Sequence, residues 1–243
     1  MIVFIGMTQL IQKCGLKLLK YLFAAIVKYG MKEKRNYTVN IEIGYWLFQK
    51  KLPHHICDDI IKYGLSQKES IAWVGEEKIQ PENKEAVEKV QTQRNSNVVW
   101  LQQRWLYRYI HPFIRDANQA AGWNFQWDFT ESCQFTKYKL NQFYHWHCDS
   151  FTKPYDCPGK PEHGKIRKLS AVISLSDDDE YEGGDFQFDF RNSDKGKNVR
   201  SVTEFRKKGS VIVFPSFIYH RVTPVTKGTR YSLVTWNLGY PYV

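Results

Sequence analysis

Residues Asn141–Ser150 read NQFYHWHCDS and set His145, His147 and Asp149 at every second position. Alternate side chains of a β-strand share a face, so an extended segment would gather two imidazoles and a carboxylate on one side. Such a face either binds something or lies in water. The rest of the chain has to decide which.

The alternating pattern extends well beyond this stretch. After Gly122 the period changes from helical to two-residue, with Trp123, Phe125, Trp127 and Phe129 on one side of WNFQWDF, an aromatic stripe expected in the core. Further strands are expected in CQFTKYKL, FYHWHCD, RKLSAVISLS, GDFQFDF, GSVIVFPS, IYHRVTPV and RYSLVTWNL, separated by the turn-rich DDDEYEGG and RNSDKGKN. In EYEGGDF, Gly183 and Gly184 permit the positive φ of a turn, after which Phe186, Phe188 and Phe190 alternate into the core.

The front half reads as helical. PHHICDDIIKYGLS places Ile56, Ile60 and Ile61 at helical spacing before a stop at Gly64, and NVVWLQQRWLYRYIHPFIRDANQAAG repeats apolar residues every three or four positions up to Gly122. Pro112 is expected to kink or divide that second helix. About eight short strands behind N-terminal support helices give an α+β fold with a double-stranded β-helix, or jelly-roll, core that holds a small site between its sheets.

The chain has 243 residues and a mass of 28.8 kDa, enough for one domain with a sizeable core. No Ser/Pro/Gly linker, repeat or low-complexity tract follows Asn36. Residues 36–243 are therefore read as a single domain, with helical support over 36–122 and the jelly roll over 123–243, behind an extension of residues 1–35. A net charge of +10 favours an anionic partner without choosing among nucleic acid, membrane surface and small acid. Basic runs such as RKK at Arg206–Lys208 are expected as a solvated rim. Five scattered cysteines without a C-x-x-C pair argue against a disulfide framework and a structural zinc site, which points to a reducing, cytoplasmic setting. Lys13, Lys17, Lys20 and Lys28 interrupt the apolar N-terminus, so an integral membrane span is not expected there; an amphipathic helix on a membrane surface and a start at Met31 stay open.

His147 and Asp149 supply two metal ligands, and His220, near the end of a late strand in FPSFIYHRVTPV, is the candidate third. Two imidazoles and one carboxylate on one face leave coordination positions open, the arrangement of non-haem Fe(II) oxygenases. Arg230 begins RYSLVTW ten residues after His220 and suits the far carboxylate of a dicarboxylic cosubstrate, with Ser232 on the same face as a further donor. Arg221, adjacent to His220, should point the opposite way. His145 has the parity of His147, but the H-x-D adjacency favours His147 and leaves His145 beside the site or on the surface.

The set resembles the Fe(II)- and 2-oxoglutarate-dependent dioxygenases, in particular their prolyl 4-hydroxylase-like branch. The resemblance is carried by HCD, by RKLSAVISLS followed by EYEGGDFQF, and by GSVIVFPSFIYHRVTPVTKGTRYSLVTW, and so covers the C-terminal part of the chain. It implies that His147, Asp149 and His220 hold Fe(II) and form the catalytic set. It also implies that 2-oxoglutarate chelates the metal and pairs with Arg230, that the Tyr138 hydroxyl helps orient the cosubstrate, and that ascorbate keeps the iron reduced. The implied reaction hydroxylates a C–H bond, of a prolyl or other side chain in a peptide or protein, with release of succinate and CO2. The same chemistry on a small molecule (a free amino acid, a siderophore-like or a lipid compound) and a non-catalytic jelly-roll binding module are the alternatives. The nucleic-acid demethylase branch places its arginine farther on and adds a second, and jumonji-type enzymes usually carry H-x-E, so nucleic acid is not an expected partner.

Overall fold

A computed structural model of the chain describes residues 43–72, 90–190 and 199–242. The extension 1–35 and the turn RNSDKGKN at 191–198 lie outside the described residues. In chain order the strands are β1 (Trp46–Phe48), β2 (Ser70–Ile71), β3 (Arg94–Asn95), β4 (Asn97–Leu101), β5 (Phe129–Thr130), β6 (Cys133–Tyr138), β7 (Phe143–His147) and β8 (Ile166–Ser174). They continue with β9 (Tyr181–Gly183), β10 (Phe186–Asp189), β11 (Val199–Ser201), β12 (Val211–Pro215), β13 (Tyr219–Val222), β14 (Val225–Gly228) and β15 (Arg230–Gly239). Two α-helices described in full are α1 (His54–Leu65) and α2 (Arg104–Ala120).

The larger sheet runs β1-β12-β8-β15-β6-β4-β2, with β5 on β15; the smaller runs β11-β10-β13-β7-β3; β9 and β14 pair by themselves. Two-residue alternation explains the layering. On β12, Val211 and Val213 pack with Ile56, Ile60, Leu106, Ile110 and Ile114 of the helices, whereas Ile212 and Phe214 pack between the sheets with Phe186, Phe188 and Val222. The larger sheet thus has a helix-covered face and a face toward the smaller sheet, the jelly-roll arrangement expected. Among the described residues no helix is long and apolar enough to cross a membrane.

Several local expectations give way. NVVWL is strand β4, not the start of a helix, because Val99 and Leu101 meet the helices while the backbone pairs with Cys133–Lys137 of β6. The helical period begins only at Arg104. With β1 and β2 also joining the larger sheet, the front half is not helical throughout. Helix α2 runs through Pro112 without a break. Pro112 and Arg108 both lie on its exposed side, where water can satisfy the carbonyl that a proline leaves without a donor.

In WNFQWDF, Trp123 and Phe125 are buried, but residues 123–128 form no ladder. The side chain of Asn118 accepts from the Phe125 N–H at 3.0 Å and donates to its carbonyl at 2.9 Å, replacing strand partners. Of RKK, only Lys207 is solvated as expected of a rim. Arg206 donates to the Gly183 and Tyr181 carbonyls and to Asp185, and Lys208 pairs with Asp58 on α1 at 2.6 Å.

Candidate active site

Strand β7 does not alternate regularly. His147 lies opposite His220 of β13 and Tyr144 opposite Val222, so the single residue Arg221 of β13 spans two residues of β7. The extra residue is a bulge, which turns the chain over by one position and re-aims the side chains beyond it. Tyr144 and His147 therefore share the inner face, their rings stacked 3.5 Å apart at 13°. His145, placed by simple alternation with His147, is exposed beside Phe143.

Three of the polar groups read from the sequence meet between the sheets. Ligand atoms of His147, Asp149 and His220 all lie within 4.8 Å of one another. Nε2 of His147 is 3.6 Å from Asp149 Oδ1, and Nε2 of His220 is 3.6 Å from Asp149 Oδ2. Each imidazole is fixed by its own strand: His147 Nδ1 lies 2.8 Å from the His145 carbonyl and His220 Nδ1 2.9 Å from that of Ile218. A carbonyl only accepts, so both Nδ1 atoms carry a hydrogen, and both Nε2 atoms face Asp149. The backbone N–H groups of Asp149 and Ser150 both donate to the Ser216 carbonyl, which holds the turn after β7 against the end of β12.

Burial pushes the Asp149 carboxyl up, but His220 and His147 beside it outweigh this and hold it well below the usual carboxylate range. Burial, with His147 adding to it, pushes His220 down to about 4. An ionised carboxylate and a neutral imidazole are the forms that bind a metal cation. The donor set, two imidazole nitrogens and one carboxylate oxygen, fits a divalent iron with positions to spare.

Arg230 is 1% exposed. Its Nη1 donates to Ser232 at 3.3 Å, its guanidinium lies 5.4 Å from the Tyr138 ring centre, and Tyr138 is its register partner on β6. No carboxylate among the described residues pairs with it. A buried charge without a partner costs several kcal/mol, so this arrangement suits an anion that arrives from outside the chain. Arg221 points the other way, over Trp146 at 4.6 Å and onto Gln187.

Close to these groups stand residues that no short-range pattern announces. Arg94 of β3 is buried with its guanidinium 4.4 Å from the Tyr144 ring centre. Arg167 pairs with Glu131 and lies 4.0 Å over Trp236, whose indole N–H is buried with no hydrogen-bond partner among the described residues. Trp236 in turn neighbours Trp100, which is 51% exposed and marks where this wall reaches solvent. Only strand pairing brings Arg94 and Arg167 here, so sequence spacing carries no signal for them.

Residues 133–237 match the family model of the 2OG-Fe(II) oxygenase superfamily. Among curated proteins, the chain is 37% identical over 98 residues to a PKHD-type hydroxylase of Synechococcus sp. (strain CC9605) and 31% identical over 103 residues to the PKHD-type hydroxylase YbiX of Escherichia coli O1:K1 / APEC. These matches span 40% and 42% of this chain but only 37% and 40% of those proteins. Among solved structures, the fold is similar to a prolyl hydroxylase of Trichoplax adhaerens in complex with a hypoxia inducible factor peptide fragment, with TM-score 0.60 and 15% identity over 93% of this chain and 94% of that one. It is also similar to the viral collagen prolyl hydroxylase of Paramecium Bursaria Chlorella virus-1 in its 2OG complex, with TM-score 0.56 and 18% identity over 83% and 99%.

Proposed function

We propose that the chain is an Fe(II)- and 2-oxoglutarate-dependent dioxygenase of the 2OG-Fe(II) oxygenase superfamily, whose family model its residues 133–237 match. It hydroxylates a C–H bond in a side chain, prolyl or other, of a peptide or protein, with release of succinate and CO2. His147, Asp149 and His220 are the iron ligands. Arg230, helped by Ser232 and by the hydroxyl of Tyr138, binds the distal carboxylate of 2-oxoglutarate.

The observations that carry this reading are a metal-ready triad and, on β15, a buried guanidinium with no carboxylate partner among the described residues. A non-catalytic jelly-roll binding module would have no use for both. Iron in the triad supplies the activation of dioxygen, coupled to oxidative decarboxylation of the cosubstrate. The protein's own part is positional. Backbone carbonyls keep both Nε2 atoms aimed inward, Arg230 orients the diacid through its planar fork, and the buried aromatic walls exclude water from the reacting centre.

A peptide substrate is favoured over a small molecule by the half-exposed Trp100 beside Trp236, an aromatic wall that continues to the surface. The test is incubation of iron-loaded protein with 2-oxoglutarate, ascorbate and proline-containing peptides, read by mass spectrometry. A gain of one oxygen matched by succinate supports the reading. Oxygen gained only by free amino acids or other metabolites would transfer it to a small-molecule hydroxylase.

A further inference from the structure

We propose that Ser170 and Ser216 form a hydroxyl relay that fixes the Asp149 carboxylate and reserves one of its oxygens, Oδ1, for the metal. The inference rests on the triad reading above and concerns two residues outside the triad.

Ser170 Oγ lies 2.7 Å from Asp149 Oδ2 and 2.9 Å from Ser216 Oγ, and both serines are 0% exposed. The direction of these bonds comes from counting hydrogens. An ionised carboxylate only accepts, so the single O–H of Ser170 points to Oδ2; the hydrogen between the two serines must then come from Ser216. The relay runs from Ser216 through Ser170 to Asp149, and each bond polarises the next in a buried setting. Ser216 acts twice, because its carbonyl accepts the N–H groups of Asp149 and Ser150.

The two serines are held by paired strands of the larger sheet, one on a strand and one at a strand's end. Ser170 is on β8, in register with Phe214 of β12 and Trp236 of β15, and Ser216 comes directly after β12. Asp149 itself lies just past the end of β7, where no ladder partner holds its side chain. A carboxylate on such a turn could rotate so that Oδ1 and Oδ2 exchange, or so that both oxygens reach the metal and occupy a position the cosubstrate needs. With Oδ2 engaged by Ser170, Oδ1 is the oxygen left with unshared lone pairs, 3.6 Å from His147 Nε2. Ser170 and Ser216 are thus positioning residues that act through Asp149 and touch neither cosubstrate nor substrate.

Partners of this kind typically set metal affinity by about 10- to 100-fold. The test is binding of Co(II) to the metal-free full chain, followed by its visible d–d absorption, for wild type, Ser170→Ala, Ser170→Thr, Ser170→Val and Ser216→Ala. Ser170→Ala is expected to weaken binding about 10-fold or more and to change the band shape as the carboxylate loses its fixed orientation. Thr and Val have the same shape, so Ser170→Thr should restore binding that Ser170→Val does not, and Ser216→Ala should fall between wild type and Ser170→Ala. Equal Co(II) affinity in wild type and Ser170→Ala, or equal loss in Thr and Val variants, would overturn the relay while leaving the triad standing. Absence of Co(II) binding in the wild type would overturn the relay and the proposed metal centre together.

Discussion

The rings of Tyr144 and His147, three residues apart on β7, lie nearly parallel with 3.5 Å between their centres. Regular alternation would put them on opposite faces, and the bulge in β7 puts them on the same one. The stack braces the imidazole in addition to its backbone hydrogen bond. Tyr144→Ala is expected to lower divalent-metal affinity about 10-fold, whereas Tyr144→Phe, which keeps the ring, stays near wild type. Calorimetric titration with Mn(II) checks this, and equal losses for both variants would locate the effect in the phenol hydroxyl.

Arg230 has no carboxylate to balance it among the described residues, so its removal should be felt mainly as lost cosubstrate binding. Hydrogen bonds to a charged group contribute about 1.5–3 kcal/mol each, so Arg230→Ala should raise KM for 2-oxoglutarate by about 100-fold, with kcat less affected. Gly184 gives an independent handle. Its φ is +61°, and an added Cβ would stand 3.0 Å from Arg230 Cδ and from Val225 Cγ2. Gly184→Ala should shift the guanidinium and raise the same KM by a smaller factor. Unchanged KM in both variants would remove Arg230 from the cosubstrate site.

Gly64 near the C-terminal end of α1 tests the docking of that helix. A methyl group there would meet the Phe135 ring at 2.6 Å. Helix propensity alone favours alanine by about 1 kcal/mol, but overpacking a buried contact costs about 1–3 kcal/mol, so Gly64→Ala is expected to lower Tm. A higher Tm would mean that α1 is loosely seated on β6.

His111 of α2 is held below its ordinary pKa, first by burial and then by Arg115. Its Nε2 bonds Thr130 Oγ1, which donates onward to Asn237. Because the folded pKa is the lower one, the unfolded chain takes up the proton first, near pH 6.5, and stability present above that value is lost as pH falls toward the folded pKa. Lowering pH from about 7.5 to about 5.5 should reduce Tm more in wild type than in His111→Gln. Parallel curves would show that His111 titrates normally.

Part of the site was legible in the sequence, and the boundary has a physical basis. The order H-x-D, histidine, arginine depends on short strands whose faces are set by parity, so His147, Asp149, His220 and Arg230 stand out as candidates in the sequence, and the fold brings the first three together. Parity fails where pairing changes the count. The bulge that separates His145 from His147 arises only when β7 meets β13, and nothing within NQFYHWHCDS marks it. NVVWL read as helix because a short apolar run fits either period, and its pairing with β6 decides. Arg94 and Arg167 reach the site by long-range pairing, as Ser170 does, and spacing along the chain cannot foretell that.

Binding of 2-oxoglutarate to iron-loaded protein without oxygen, compared between wild type, Asp149→Ala and Arg230→Ala, tests the paired metal and anion sites most directly. The prediction is saturable binding in wild type that requires Fe(II), is lost with the metal in Asp149→Ala, and is strongly weakened with the metal retained in Arg230→Ala. Binding that is indifferent to iron, or unchanged in both variants, would contradict it.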